Sequence, residues 1–171
     1  MESYLTVQAD GQFELEIKKS RFICQIARVS DEAAAQDFID QVRKTHTKAN
    51  HNCFAYQLGQ PANIQKQSDD GEPSGTAGVP ILEVLRQMQL INLCVVVTRY
   101  FGGTKLGTGG LIRAYSHATS AALEHLGIVQ GIEQTACHLT IDYAQFDSLQ
   151  NRLAQLDLIA QDIQYTTNIQ L

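Results

Sequence analysis

An α+β fold follows from three features of the 171-residue chain. Strand-like apolar stretches are interspersed with stretches whose apolar residues recur three and four positions apart, the spacing of one helix face. Apolar residues make up 44% of the sequence, which is normal for a packed core and argues against disorder. A boundary near Gly127–Glu133 separates a larger domain, residues 1–130, from a short unit, residues 131–171.

Taken in order, Phe13–Ile17 and Ser20–Val29 read as strands, with a polar break near Lys18–Ser20. Ser30 is placed to cap a helix over Asp31–Arg43, which has acids in its first turn and Ala35, Phe38 and Val42 on one face. Asn50–Leu58 alternates toward a strand with Cys53 or Phe54 facing the core, and Asn63–Gln67 is a weaker strand after Pro61. Ser68–Val79 is rich in Gly, Pro and acids, which predicts an ordered turn or loop outside the core. Pro80 suits the first turn of a short helix, Pro80–Gln89. Leu93–Val97 is apolar at every position, as in a central strand covered on both faces.

Thr108–Leu126 is the clearest helix. Leu111, Tyr115, Ala118, Ala122 and Leu126 form its apolar stripe, and Gly127 is its stop. Beyond the boundary, Ala136–Tyr143 reads as a strand, Gln145–Leu156 as a helix and Leu158–Ile169 as a strand. Such a unit is short for a domain and leaves sheet edges bare.

The net charge of −5 counts against a nonspecific nucleic-acid binder, which usually carries a basic excess, but leaves room for a local basic patch. No apolar run reaches membrane-spanning length, and the N-terminus lacks the basic-then-apolar order of a secretory signal. Cys24, Cys53, Cys94 and Cys137 form no CxxC pair, so reduced, buried thiols of a cytoplasmic protein are the simple reading.

The most informative stretch is Thr98–Tyr115. It holds five of the twelve glycines: Gly102, Gly103, Gly107, Gly109 and Gly110. A strand, a glycine-rich loop and a helix start gather free N–H groups and the positive end of a helix dipole, the usual backbone device for an anion. Arg99, Lys105 and Arg113 add full charge, and no Asp or Glu occurs from Val84 to Leu123. The competing reading is a tight connection that needs positive φ. The stretch is neither a Walker A loop nor a dinucleotide GxGxxG.

Lys18, Lys19 and Arg21 form a second basic cluster; on a strand, Lys19 and Arg21 share a face. Asp69, Asp70 and Glu72 read as a metal or general acid/base site, as a solvated turn, or as ion-pair partners of the basic island, which would lower its pull on phosphate and favour structural order. His51 is a candidate base or phosphate contact, or a hydrogen-bonded structural residue. For His46, His51 and Cys53 no fourth ligand is evident, and neighbouring positions in a strand point to opposite faces, so no metal and no cofactor are expected. GxSxG is absent, and Ser74 lacks the strand-then-helix setting of a nucleophile elbow.

Four blocks carry a family resemblance: KKSRF (Lys18–Phe22), HNCFAY (His51–Tyr56), DDGEPSGTAGVPIL (Asp69–Leu82) and VVVTRYFGGTKLGTGGLIRAY (Val95–Tyr115). Separate and in order, they resemble the signature blocks of the YigZ/IMPACT family over roughly residues 1–130. The resemblance implies a first domain with the α/β fold shared by a small-subunit ribosomal protein domain, GHMP kinases and domain IV of elongation factor G. It implies a second, ferredoxin-like α+β domain in bacterial members. Ala136–Ile169 is similar to the first half of that domain and the chain stops at Leu171, so a partial unit is expected. The eukaryotic members are translational regulators that bind the activator of an initiation-factor kinase. Bacterial members have a proposed nucleic-acid-binding or ribosome-associated role, with no established catalysis.

Three functions are therefore weighed. The first is a binding module for RNA or the ribosome, in which the glycine loop, Lys105, Arg113, Arg99, Lys19 and Arg21 hold phosphates and Tyr100 or Phe101 stacks a base. The second is an enzyme for a phosphorylated small molecule or nucleotide, in which Asp69, Asp70 or Glu72 holds a divalent ion or acts as base and His51 assists. It requires the acids and the glycine loop to converge in one concave pocket, whereas a binding module leaves the acids paired or turned away. The third is a protein–protein adaptor in translation control, which requires an exposed apolar patch.

Overall fold

In the computed structural model, residues 3–132, 135 and 137–171 are described. The chain forms two compact units, Met1–Ile132 and Glu133–Leu171.

The first unit opens with strand β1 (Ser3–Val7), followed by β2 (Gly11–Ile17) and β3 (Ser20–Arg28). Ile17 pairs directly with Ser20, so Lys18 and Lys19 alone form the turn, both left-handed at φ 46° and 67°. Two positive φ angles in a two-residue hairpin match the right-handed strand twist. Lys19 is therefore a turn residue and does not share a strand face with Arg21.

Helix α1 (Glu32–Thr45) is capped by Asp31, whose carboxylate accepts the Ala34 N–H at 2.8 Å. Ser30, expected as the cap, donates its hydroxyl to Asp31 instead. Asp31 wins because its extended backbone aims a charged acceptor at the orphan N–H groups. Those two donors hold its carboxyl below the usual range, the Ala34 N–H foremost.

Next come β4 (His51–Leu58), β5 (Ile64–Ser68), helix α2 (Gly78–Gln87), β6 (Leu93–Tyr100), helix α3 (Thr108–Leu126) and β7 (Ile128–Ile132). Five strands make one sheet, ordered β2-β3-β6-β4-β5, with every neighbouring pair antiparallel. Leu93, Val95 and Val97 of β6 join α2 and α3 in one apolar cluster, and Cys94 and Val96 join α1 in the other. This is why β6 reads as unbroken hydrophobicity. Cys53 and Phe54 of β4 are both buried, one on each face.

β1 and β7 escaped the sequence reading. They pair antiparallel from Ser3↔Ile132 to Val7↔Ile128. The segment Ser68–Val79, expected as loop outside the core, buries Glu72, Thr76 and Ala77. The reason lies in the site described below.

In the second unit, β8 (Thr140–Ile141), helix α4 (Tyr143–Gln155), β9 (Gln164–Tyr165) and β10 (Ile169–Gln170) form a sheet ordered β8-β10-β9 with one helix. The single strand expected over Leu158–Ile169 is instead two dipeptide strands, with Ile159 87% exposed. Alternation of apolar residues does not make a strand where no layer covers the apolar side. The expected strand start at Ala136 and the boundary residue Glu133 lie outside the described residues. Among the described residues, no helix is long and apolar enough to cross a membrane.

Candidate functional site

The three acids of the Ser68–Val79 loop do three different jobs. Asp69 accepts backbone N–H groups from Gly75 at 2.8 Å, Ala77 at 3.0 Å and Gly78 at 2.8 Å. It thereby caps the start of α2 from outside the helix, where the local N-cap, Ala77, has no side-chain acceptor. Asp70 accepts from the Arg43 guanidinium at 3.0 Å and the Asn52 N–H at 2.7 Å. Its carbonyl receives His51 Nδ1 at 2.9 Å. A carbonyl only accepts, so His51 carries its proton on Nδ1 and turns Nε2 toward Glu72 Oε2, 3.7 Å away.

Glu72 is buried. Its Oε1 accepts Arg99 Nη1 at 2.6 Å and the Tyr115 hydroxyl at 2.8 Å. Arg99 lies 5% exposed with its guanidinium against the rings of Phe22 and Phe101, each at 5.5 Å, and donates Nη2 to Ser20 Oγ at 3.3 Å. Its Nε is buried without a hydrogen-bond partner. Arg99 therefore belongs to the core and is not a solvent-facing phosphate ligand. Arg21 is engaged as well: Glu14 receives its Nε at 2.7 Å, and its guanidinium covers the Tyr100 ring at 5.3 Å.

Burial dominates the titration of this core. The Cys53 thiol is pushed up to about 12, mainly by loss of solvent. The Tyr115 phenol is raised further still, with burial again the largest cause. Both groups stay neutral, so neither is a ready nucleophile at neutral pH.

The glycine loop itself divides. Gly102 lies so close to the Lys19 backbone that a Cβ there collides with the Lys19 carbonyl, and its N–H donates to Ser20 Oγ at 3.3 Å. Gly103 and Gly107 are left-handed at φ 85° and 74° with open space around them. Gly107 caps α3, which has no side-chain cap and no acid in its first turn. A Cβ on Gly109 meets only the Arg113 guanidinium, and one on Gly110 meets Leu106.

Because Gly102 sits on the hairpin tip, Lys18 and Lys19 adjoin the loop that carries Lys105 and leads to Arg113. All four cations are exposed, and none has a carboxylate within ion-pair distance among the described residues. Beside them a groove of about 850 Å³ runs along α2 and α3, and no acidic residue lines it. His51, Asp69, Asp70 and Glu72 are not among its lining residues. No group of three or more His, Cys, Asp or Glu among the described residues is arranged to hold a metal.

Sequence reasoning missed Ser20, Asn52 and Tyr115. Tyr115 sits in an apolar helix stripe, and its hydroxyl was the available signal, since a buried phenol needs a partner. Asn52 receives the Thr98 hydroxyl at 2.8 Å across β4 and β6, a register that no local pattern reports.

Residues 18–123 match the Impact N-terminal domain, and residues 139–171 match a domain of unknown function, DUF1949. The chain is 48% identical over 170 residues to the IMPACT family member YvyE of Bacillus subtilis, covering 99% of this chain and 78% of that protein. It is 40% identical over 159 residues to YigZ of Escherichia coli, covering 92% and 78%. A solved structure described as that of a hypothetical protein superposes with a TM-score of 0.74 at 37% identity, covering all of this chain and 84% of the other. The quoted blocks and the two domain matches together make this chain a member of the IMPACT family.

Proposed function

We propose that the protein is a cytoplasmic binding module for RNA or the ribosome, with a role in translation or its stress regulation. Phosphate groups sit on the free N–H groups at the start of α3. The observation that carries this reading is the pairing of charges. Every acid of the Ser68–Val79 loop is satisfied inside the fold, while Lys18, Lys19, Lys105 and Arg113 flank the glycine loop that leads into α3, whose start has no side-chain cap, and have no carboxylate partner among the described residues. That is the arrangement of an open basic surface rather than of a concave acid-lined pocket. The first unit is an antiparallel sheet with helices on both faces, and the family resemblance relates such a unit to a ribosomal protein domain and to domain IV of elongation factor G.

The test is binding to ribosomes and to a generic single-stranded RNA across a salt series. Four phosphate contacts give a slope of about −3 in log affinity against log salt. Lys105→Ala and Arg113→Ala each weaken binding and flatten that slope by about one. Absence of binding at low salt removes the reading.

A further inference from the structure

We propose that the groove between α2 and α3 docks an acidic amphipathic helix from a protein partner. Ile17 of β2, Val84 and Met88 of α2 and Leu106 of the glycine loop give it an apolar lining. These side chains are only partly buried although they pack against the core, and Ile112 beside them is 39% exposed. The α3 residues along it run from Gly110 to Ser120, about 15 Å at the helical rise. That length seats two turns or more of a helix presenting anchors at i, i+3, i+4 and i+7.

Charge fixes the partner's chemistry. Lys18 and Arg113 stand on the rim with no carboxylate in ion-pair distance among the described residues, and the His117 imidazole lines the groove beside them. An occupant must therefore offer apolar side chains to the floor and carboxylates to the rim. A nucleic-acid backbone meets the second demand and not the first, because it has no apolar face to set against Ile, Val, Met and Leu. The groove shares Lys18 and Arg113 with the proposed phosphate site, so helix and phosphate compete along that edge while the apolar floor belongs to the helix alone.

The probe is a synthetic peptide of about 16 residues, roughly 24 Å long as a helix. It carries Leu on one face and Glu on the rest. The controls are the same peptide with Lys for Glu and a scrambled sequence of the same composition. The chain contains two methionines, Met1 and Met88, so the Met88 methyl NMR signal reports on the groove floor. The Glu peptide is expected to shift that signal and to bind the full chain about tenfold more tightly than either control. Ile112→Asp and Arg113→Glu, both at exposed positions, each weaken it about tenfold without moving the urea midpoint. The proposal is overturned if the scrambled peptide binds equally, if neither variant weakens binding, or if the Met88 signal stays still. It is also overturned if single-stranded RNA shifts that signal and the Glu peptide does not, which assigns the groove to nucleic acid. Loss of salt-dependent RNA binding leaves the peptide result standing, so the two proposals fail separately.

Discussion

Glu72 is the residue on which the buried polar core turns. One carboxylate oxygen serves both Arg99 and Tyr115, so removing the carboxylate strands a cation 5% exposed among aromatic rings. Glu72→Ala is expected to cost about 3–5 kcal/mol in urea unfolding, and adding Arg99→Met should recover much of it, because the penalty comes from the unpaired charge. A double variant no more stable than Glu72→Ala alone would show that the cost lies elsewhere. The thiols set the alkaline limit. Cys53 and Cys94 are pushed up to about 12, chiefly by burial. A thiol raised in the folded state contributes stability that is complete below the unfolded value, near 8.5, and is lost as pH rises toward the folded one. Stability should therefore be flat from pH 7 to about 8.5 and fall from there toward pH 12. Cys24, Cys53 and Cys94 are buried and Cys137 is exposed, so a thiol reagent at pH 8 should label Cys137 rapidly and the others only on unfolding.

Among the elements, the glycine loop and the acid loop each contain a contact that can be tested. Gly102 lets β6 run against the Lys18–Lys19 turn, and a methyl group there meets backbone rather than a side chain that can swing away. Gly102→Ala should cost about 1–3 kcal/mol and shift the hairpin tip. Gly103→Ala meets open space and pays only for φ 85°, about 1–2 kcal/mol. Of the two, Gly102→Ala should therefore weaken RNA binding more at matched folded fractions, because only it displaces Lys18 and Lys19. Asp69 is the equivalent pin for the acid loop. Asp69→Ala frees the N–H groups of Gly75, Ala77 and Gly78 together and should lower the urea midpoint by the equivalent of about 1–3 kcal/mol. A neutral result would mean that water replaces the carboxylate.

At the scale of the whole molecule, the two units differ in what they bury. The first packs helices on both faces of a five-stranded sheet. The second has 39 residues, from Glu133 to Leu171; none of α4 is buried, and Leu156, Leu158 and Ile159 are exposed. So little buried apolar surface cannot offset the entropy of ordering the chain by much. Amide exchange in α4 and β8–β10 should therefore be faster by orders of magnitude than in β3, β4 and β6. Equal protection in the two units would show that the second is stabilised by something other than its own core.

The elements whose signals are local were legible in the residues: α3 with its glycine at each end, α1 with its spaced apolar face, and β6 with its unbroken apolar run. Periodicity and caps act within a few residues, so a linear reading can see them. Pairing at a distance decided the rest. β1 and β7 exist because residues near the start of the chain meet residues near 130. Arg99 reads as a solvent-facing phosphate contact because nothing local records that the strand and the loop bury it against Glu72; pairing of the loop acids with the basic island is open in the sequence, and burial of the pair is not. A separate close approach, of Gly102 to the Lys19 backbone, brings Lys18 and Lys19 to the glycine loop. Charge and glycine content marked the region, and long-range packing decided which of its charges face solvent.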